Sequence, residues 1–134
     1  MKKTLFLPVF VFLFHLVGAQ RAELHIDNNS MRTLEIKIMK GHPDRSTGLY
    51  TKFTINPYGR TTKYFSSTGD YFMKVKAMRP ERKPAYSKGD PFRVYVGADG
   101  YSVMTITYSI QETTTSVNPL NGETISEAEY EGDY

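Results

Sequence analysis

Apolar residues recur at every second position through five segments between residues 22 and 110. In TLEIKIMK, residues 33–40, Leu34, Ile36 and Ile38 alternate with Glu and Lys. This alternation is typical of β-strands that bury one face, because successive side chains point to opposite sides of a sheet. The other segments are LYTKFTI, DYFMKVKAM, PFRVYV and YSVMTITYSI. No window of ten residues carries a helical apolar stripe, so we expect almost no helix.

With two weaker runs, ELHI and TTKYF, these segments predict about seven strands. Turn-forming sequences separate the strands, and Asp99-Gly100 is the clearest hairpin signal. The sequence therefore predicts an all-β fold, a single antiparallel β-sandwich of the Ig-like or Greek-key type, with a small barrel as the alternative. The residues predicted to form the core are Ile36, Ile38, Phe53, Val75, Val94 and Ile106.

The stretch SSTGDYFMKVKA resembles the tyrosine corner of immunoglobulin-like sandwiches. In that motif a Tyr near the start of a strand forms a hydrogen bond back to the main chain. Here Tyr71 follows Gly69, Met73 stands at the position of the usual second Cys, and Ser67 replaces the usual Asp. The resemblance implies a Greek-key sandwich in which the Tyr71 hydroxyl bonds to nearby backbone, and it implies nothing about function.

Residues 1–19 have the three parts of a secretory signal peptide. Two lysines precede an apolar run that ends at Val17, and Ala19 is a small residue at the expected cleavage site. The run is shorter than the roughly 20 apolar residues that a membrane span needs. We therefore expect a secreted protein, in the periplasm, on the cell surface or in the medium. The mature chain should have no transmembrane span and one domain at residues 20–111.

The residue types that carry most enzyme chemistry are sparse in this chain. Cysteine is absent, which excludes thiol nucleophiles, thiolate metal sites and disulfides. His25 and His42 have no catalytic or ligand motif around them, and Asp44, Asp70 and Asp90 fall in or beside turns, where Asp is commonly structural. The sequence thus predicts no enzyme activity, no metal and no cofactor.

Charge is divided unevenly along the chain. Residues 21–111 carry 15 basic and 8 acidic side chains, whereas residues 112–134 carry six acids and neither Lys nor Arg. This tail is rich in Thr, Ser, Asn and Glu, and we expect it to be flexible and disordered. Two alternatives stay open for it. It keeps a basic domain soluble, or its acids, with Tyr130 and Tyr134, fold back over a cationic face and screen it.

Basic side chains recur at mid-strand positions on the side predicted to face away from the core. Two tyrosines share that side, and two long loops, residues 40–48 and 79–91, add further charges. Such a surface can attract anions and stack rings on a ligand, although strand lysines also keep sheets soluble. The candidate binding residues are Lys37, Lys52, Lys63, Lys74, Lys76, Arg93, Tyr50, Tyr95, Arg79, Arg82 and Lys83.

The leading hypothesis is a secreted, non-catalytic binding module. It recognises an extracellular or envelope partner, either a protein or an anionic polysaccharide, through the basic face and the long loops. Nucleic acid is not expected as a partner in vivo. The alternatives are a structural subunit of a cell-surface assembly, and a small hydrolase or inhibitor whose site carries no recognisable motif.

Overall fold

The computed structural model describes residues 20–112, 117–119 and 122–132. These residues are mostly β-strand with one short helix, so the prediction of an all-β protein is confirmed. The predicted signal peptide, residues 1–19, lies outside the described residues and stays a prediction. Within the described ranges, no helix is long and apolar enough to cross a membrane.

We number the strands of the described residues in chain order and call the helix α1. The strands are β1 (Ala22–Asn28), β2 (Thr33–His42), β3 (Arg45–Ile55), β4 (Arg60–Phe65), β5 (Gly69–Met78), β6 (Ala85–Lys88), β7 (Phe92–Val94), β8 (Val96–Gly97), β9 (Gly100–Tyr101), β10 (Val103–Tyr108), β11 (Ile110–Glu112), β12 (Val117–Pro119) and β13 (Glu123–Thr124). The helix α1 spans Glu127–Glu131.

Two sheets contribute to one hydrophobic core. The smaller has the strand order β10-β1-β4, and the larger has the order β13-β6-β5-β2-β3, with β7 also paired to β5. Leu24 and Phe65 of the smaller sheet join Leu34, Ile36 and Val75 of the larger one in this core. The burial of such side chains is the dominant favourable term in folding.

The alternating pattern predicts the core correctly. Because β2 pairs with both β3 and β5, the central residue Ile36 lies opposite Phe53 and Val75, and all three point to the same face. Four of the predicted core residues are buried, and two are partly buried and pack against the core. The buried four are Ile36, Ile38, Val75 and Val94, and the other two are Phe53 and Ile106.

The strand order differs from the Ig-like arrangement. In an immunoglobulin domain the first strand pairs with the second in an antiparallel sheet, whereas β1 here lies between β10 and β4. In addition, β1 runs parallel to β10, with Ile26 opposite Ile106. The purely antiparallel seven-strand description is therefore corrected to an all-β fold of several sheets that includes a parallel pair.

The two predicted long loops are shorter in the structure. Residues 40–48 are mostly strand, because β2 and β3 continue as far as a turn at Pro43 and Asp44. Residues 79–91 are interrupted by β6, which leaves residues 79–84 as the loop before that strand. The first of these segments therefore does not supply a long binding loop.

A β-bulge reverses the predicted orientation of Tyr50. The register of β2 against β3 shifts between Ile38 and Met39, and Tyr50 is the additional residue on β3. Its ring stacks on the core residue Phe65 at a centroid distance of 5.1 Å. The prediction that Tyr50 lies on the outer face is wrong, because a shift of one residue moves a strand's side chains to the opposite face.

Tyr71 packs by its ring and does not form a tyrosine corner within the described residues. Its hydroxyl makes no hydrogen bond there. The ring centroid lies 4.8 Å from that of Phe65, 5.2 Å from that of Tyr50 and 6.1 Å from that of Phe92. Burial raises the pKa of the Tyr71 phenol above its ordinary value. The residue is thus part of an aromatic cluster beside the core.

Tyr71→Phe is expected to change the free energy of unfolding by less than about 0.5 kcal/mol, because the ring keeps all three aromatic contacts. Tyr71→Ala should cost about 3 kcal/mol through lost packing. Urea denaturation measures both variants. A loss near 1 kcal/mol in the Phe variant, the size of one hydrogen bond, would show that the hydroxyl has a structural partner after all.

Arg32 is the largest fully buried side chain of the described residues, with 0% of its surface exposed. Its guanidinium donates to the carbonyl oxygens of Ala77, at 2.9 Å, and Lys83, at 3.1 Å. It also donates to Glu112 Oε1 at 2.9 Å. These bonds join the start of β2 to β5, to the loop 79–84 and to β11. Glu112, which composition assigns to the tail, is therefore bound to the folded domain.

Candidate functional site

Four lysines lie side by side across the larger sheet, on the face opposite the core. The register places Lys37 of β2 opposite Lys52 of β3 and Lys74 of β5, and it places Lys74 opposite Lys88 of β6. We call Lys52, Lys37, Lys74 and Lys88 the lysine row. Like charges that lie directly opposite each other are destabilising, so this row favours anionic or hydrogen-bond-accepting groups above it.

Residues 122–132, here called the C-terminal segment, cover the two central lysines. Lys37 Nζ donates to the carbonyl oxygen of Tyr130 at 3.0 Å, and Lys74 Nζ donates to two further carbonyl oxygens of the segment, both at 2.7 Å. Lys37 is 4% exposed and Lys74 is 3% exposed. Because the last carbonyls of a helix lack partners within it and carry partial negative charge, they are suitable acceptors for ammonium groups.

Tyr130 is the anchor of the C-terminal segment. Its side chain is fully buried, and its ring centroid lies 4.8 Å from Lys37 Nζ and 5.4 Å from the ring centroid of Tyr86. Its hydroxyl donates to Glu35 Oε1 at 2.8 Å. Burial and the adjacent Glu35 carboxylate raise the pKa of the Tyr130 phenol well above its ordinary value. The phenol therefore stays neutral and remains a hydrogen-bond donor.

Glu35 connects this anchor to the neighbouring cations. Burial by itself raises the pKa of the Glu35 carboxyl, but the Tyr130 hydrogen bond and the charges of Lys52 and Lys76 hold it below its ordinary value. Lys52 Nζ lies 3.6 Å from Glu35 Oε1. The carboxylate thus stays ionised and holds both the tyrosine and the edge of the lysine row.

The beginning of the C-terminal segment is held by a strand pairing and a helix cap. β13 pairs with β6 and forms the edge of the larger sheet, and the Ile125 amide then donates to the carbonyl oxygen of Tyr86 at 3.0 Å. Ser126 Oγ accepts a hydrogen bond from the Glu129 amide at 3.1 Å and caps α1. Glu129 Oε2 lies 2.8 Å from Lys88 Nζ.

Composition predicts a flexible tail at residues 112–134, and the docked segment, residues 122–132, differs from that expectation. Residues 113–116, 120–121 and 133–134, which include Tyr134, lie outside the described residues. The average composition conceals two buried side chains, Ile125 and Tyr130. The sequence also carries a local signal for the helix, because Ser126 and Glu129 have the spacing of a capping box. The segment lies over the cationic face, and main-chain carbonyl oxygens contact the two central lysines.

Two predicted binding residues lie away from the lysine row. Lys63 lies opposite the core residue Leu24, and its Nζ is 4.3 Å from the ring centroid of Phe53. The prediction that Lys63 points away from the core is therefore wrong, since residues paired across two strands share a face. Arg93 makes an ion pair with Asp70 at 3.1 Å, where β7 pairs with β5.

Other predicted residues form separate local contacts. The Tyr95 hydroxyl bonds to Asp99 Oδ1 at 2.7 Å. Arg79 lies 3.4 Å from a carboxylate oxygen of β11, and Arg82 and Lys83 are exposed in the loop 79–84. These residues do not lie in the lysine row.

The sequence identifies three members of the lysine row, Lys37, Lys52 and Lys74. The predicted residue Lys76 lies beside the row, opposite Tyr86, and its Nζ is 5.9 Å from the Tyr86 ring centroid. Sequence reasoning missed Lys88 and Tyr86, because the four-residue strand AYSK has too little alternation to stand out. It named Tyr130 among the tail residues that could fold back over the cationic face, but it missed the burial of that ring and its hydrogen bond to Glu35. The capping box was the signal that could have indicated an ordered helix there.

Neither a metal-ligand cluster nor a relative assigns a function to the site. Within the part of the chain that the structure describes, no group of three or more His, Asp or Glu side chains could hold a metal ion. Comparison of the chain with protein-family models, with curated proteins and with solved structures found no match.

Proposed function

We propose that the protein is a secreted, non-catalytic β-sandwich binding module that recognises a short acidic peptide segment of an extracellular or envelope protein. The binding surface is the lysine row together with Lys76 and the ring of Tyr86. The C-terminal segment occupies this surface in cis, as an internal ligand. An anionic polysaccharide is the alternative occupant of the same cations.

The observation that carries this proposal is the pair of buried ammonium groups that donate to main-chain carbonyl oxygens of the segment. A buried charge is costly unless it is paired or hydrogen-bonded. Lys37 and Lys74 therefore favour an occupant that presents several acceptors close together, as the end of a short helix does. Because one aromatic anchor and main-chain atoms supply these contacts, a partner segment with the same features can replace the chain's own.

The C-terminal segment is small enough to exchange with a partner. The helix α1 has five residues, and helices of that length are not stable in isolation. The strand β13 contributes two residue pairs with β6. The segment therefore depends on the sheet for its order, and its departure leaves the core between the sheets in place.

A truncated chain that lacks residues 122–134 tests the proposal. Isothermal titration calorimetry with the synthetic peptide GETISEAEYEGDY is expected to show binding to the truncated chain. Binding to the full chain should be at least about tenfold weaker, because the tethered segment competes for the same surface. Added salt should weaken the binding, since ionic contacts at the rim are screened.

A scrambled peptide of the same composition controls for charge alone, and a peptide with Ala at the position of Tyr130 controls for the anchor. Equal binding of the native and scrambled peptides would show that the face attracts negative charge without recognising a segment. Tighter binding of polygalacturonate than of the native peptide would favour the polysaccharide alternative.

A structural subunit is the second candidate, and it is favoured by the pairing of β13 with β6, which would be the edge strand of the larger sheet without β13. Strand addition at a sheet edge is a common way to join protein chains. The same segment could dock on β6 of a neighbouring copy and link the two. Light scattering is the test: the mass should rise with concentration and return to that of a monomer when residues 122–134 are removed.

A further inference from the structure

A cavity of about 280 Å³ lies between β10 of the smaller sheet and β5, β6 and β7 of the larger sheet. Its walls are mainly apolar and include Met73, Val75, Phe92, Met104 and Ile106. A cavity of roughly 150 Å³ with such a lining stays dry and binds benzene. The present cavity therefore has room for a molecule about twice as large.

One polar group in this cavity has no partner among the described residues. Tyr108 lines the cavity and is 4% exposed, and its buried hydroxyl makes no hydrogen bond there. Burial raises the pKa of the phenol to about 12, while the charge of Arg32 and the hydroxyl of Ser87, which lies near enough to interact, act in the opposite direction. Ser87 does not meet the phenol oxygen at hydrogen-bonding distance and angle, so the hydroxyl is left without a partner there. A buried hydroxyl without a partner is unusual and costly, so an acceptor inside the cavity would relieve it.

The lining also restricts the charge of an occupant. No Lys or Arg side chain is part of it, and its one ionisable acid, Asp90, is exposed at the surface. The nearby charge of Arg32 is already paired with Glu112, so an anionic group inside would lack a free counter-ion and would be costly to bury. Gly122 of the C-terminal segment lies at the same opening, beside the Lys88 carbonyl oxygen.

We propose that this cavity is a binding site for a small, neutral, mainly apolar molecule that carries one hydrogen-bond acceptor oxygen, and that the Tyr108 hydroxyl donates to that oxygen. The site is separate from the lysine row, so the test of small-molecule binding does not depend on the outcome of the test of peptide recognition. Most small-molecule sites have this composition, with an apolar lining and a few placed polar groups.

The test uses the full chain labelled with ¹³C at the methionine methyl groups, so that Met73 and Met104 report from the cavity wall. Two probes of equal heavy-atom count are titrated, propiophenone with its ketone oxygen and sec-butylbenzene without one. We expect saturable shifts of both methyl resonances, with propiophenone bound about fivefold more tightly, the ratio that one hydrogen bond contributes. The absence of saturable shifts with either probe would overturn the proposal.

Tyr108→Phe is expected to abolish the preference for propiophenone while it retains binding of sec-butylbenzene. Because the substitution removes a hydroxyl without a partner among the described residues, the thermal midpoint should not fall. Met104→Phe, at a partly exposed position of the wall, should weaken the binding of both probes because the larger ring fills the cavity. Met73 then remains as the reporter of binding. A ketone preference that survives in Tyr108→Phe would overturn the assignment of the donor.

Discussion

Glu112→Gln is expected to lower the free energy of unfolding by about 3 kcal/mol. The substitution keeps the size of the side chain but removes the charge that neutralises the Arg32 guanidinium. Because Arg32 is fully buried and Glu112 Oε1 is 2.9 Å from its Nη2, the arginine is left as a buried charge without a counter-ion. Chemical denaturation at pH 7 measures the loss.

The same ion pair makes stability depend on pH. The hydrogen bond from Arg32, against the opposing effect of burial, holds the pKa of Glu112 below its ordinary value of 4.5. A carboxyl with a lowered pKa in the folded state contributes stability above its unfolded pKa, and that contribution disappears as the pH falls through the folded pKa. The difference between wild type and Glu112→Gln should therefore be full at pH 7 and should close at pH values below 4.5.

Glu81→Gln is the matched control, since it removes an exposed carboxylate from the neighbouring loop 79–84. Its effect should stay within about 0.5 kcal/mol. If Glu112→Gln lowers the free energy of unfolding at pH 7 by no more than Glu81→Gln does, then the ion pair does not hold β11 to the domain. The boundary at residue 111 that the sequence predicts would then be the better description.

Tyr130→Ala is expected to release the C-terminal segment from the sheet. Truncation of a buried aromatic ring costs about 3–5 kcal/mol, and the segment has few other buried contacts with which to compensate. Hydrogen exchange should therefore accelerate by more than about tenfold at the Ile125 amide, which bonds to Tyr86, and at the Glu129 amide, which bonds to Ser126. Exchange in β2 and β5 at core positions should change much less.

Two further variants separate the ring of Tyr130 from its hydroxyl. Tyr130→Phe keeps the ring and loses the bond to Glu35, so it should cost only about 1 kcal/mol. Tyr101→Ala removes an exposed tyrosine from the β8–β9 hairpin and should leave exchange in the segment unchanged. Unaltered protection of Ile125 in Tyr130→Ala would mean that β13 alone holds the segment, and the proposed peptide recognition would lose its anchor.

The sequence predicts the core of this protein well because alternation is a local property. The side of a sheet on which Ile36 or Val75 lies depends on its immediate neighbours and on burial. Tyr50 departs from the pattern because a single additional residue in β3 reverses its orientation. Gly48, which has a φ of 126°, was the local signal, since a glycine inside a strand often marks a bulge. Lys63 departs because the weak run TTKYF has no clear apolar side.

The candidate site was less predictable because it depends on pairing between distant strands. The sequence places three of these lysines on an outer face, namely Lys37, Lys52 and Lys74. Their alignment in one row, however, follows from the register of three strands. The composition of the tail averages over Ile125 and Tyr130 and therefore misses the two side chains that dock it. The strand order, including the position of β1, is likewise a non-local property that periodicity does not contain.

The parallel pairing of β1 with β10 has a consequence for how the chain folds. Asn28 at the end of β1 lies opposite Tyr108 at the end of β10, so the smaller sheet joins parts of the chain that are far apart in sequence. Contacts of such long range are slow to form, because a large loop must close before they stabilise anything. During synthesis, β1 therefore stays without its β10 neighbour until residues 103–108 have emerged, and folding of the smaller sheet is completed late.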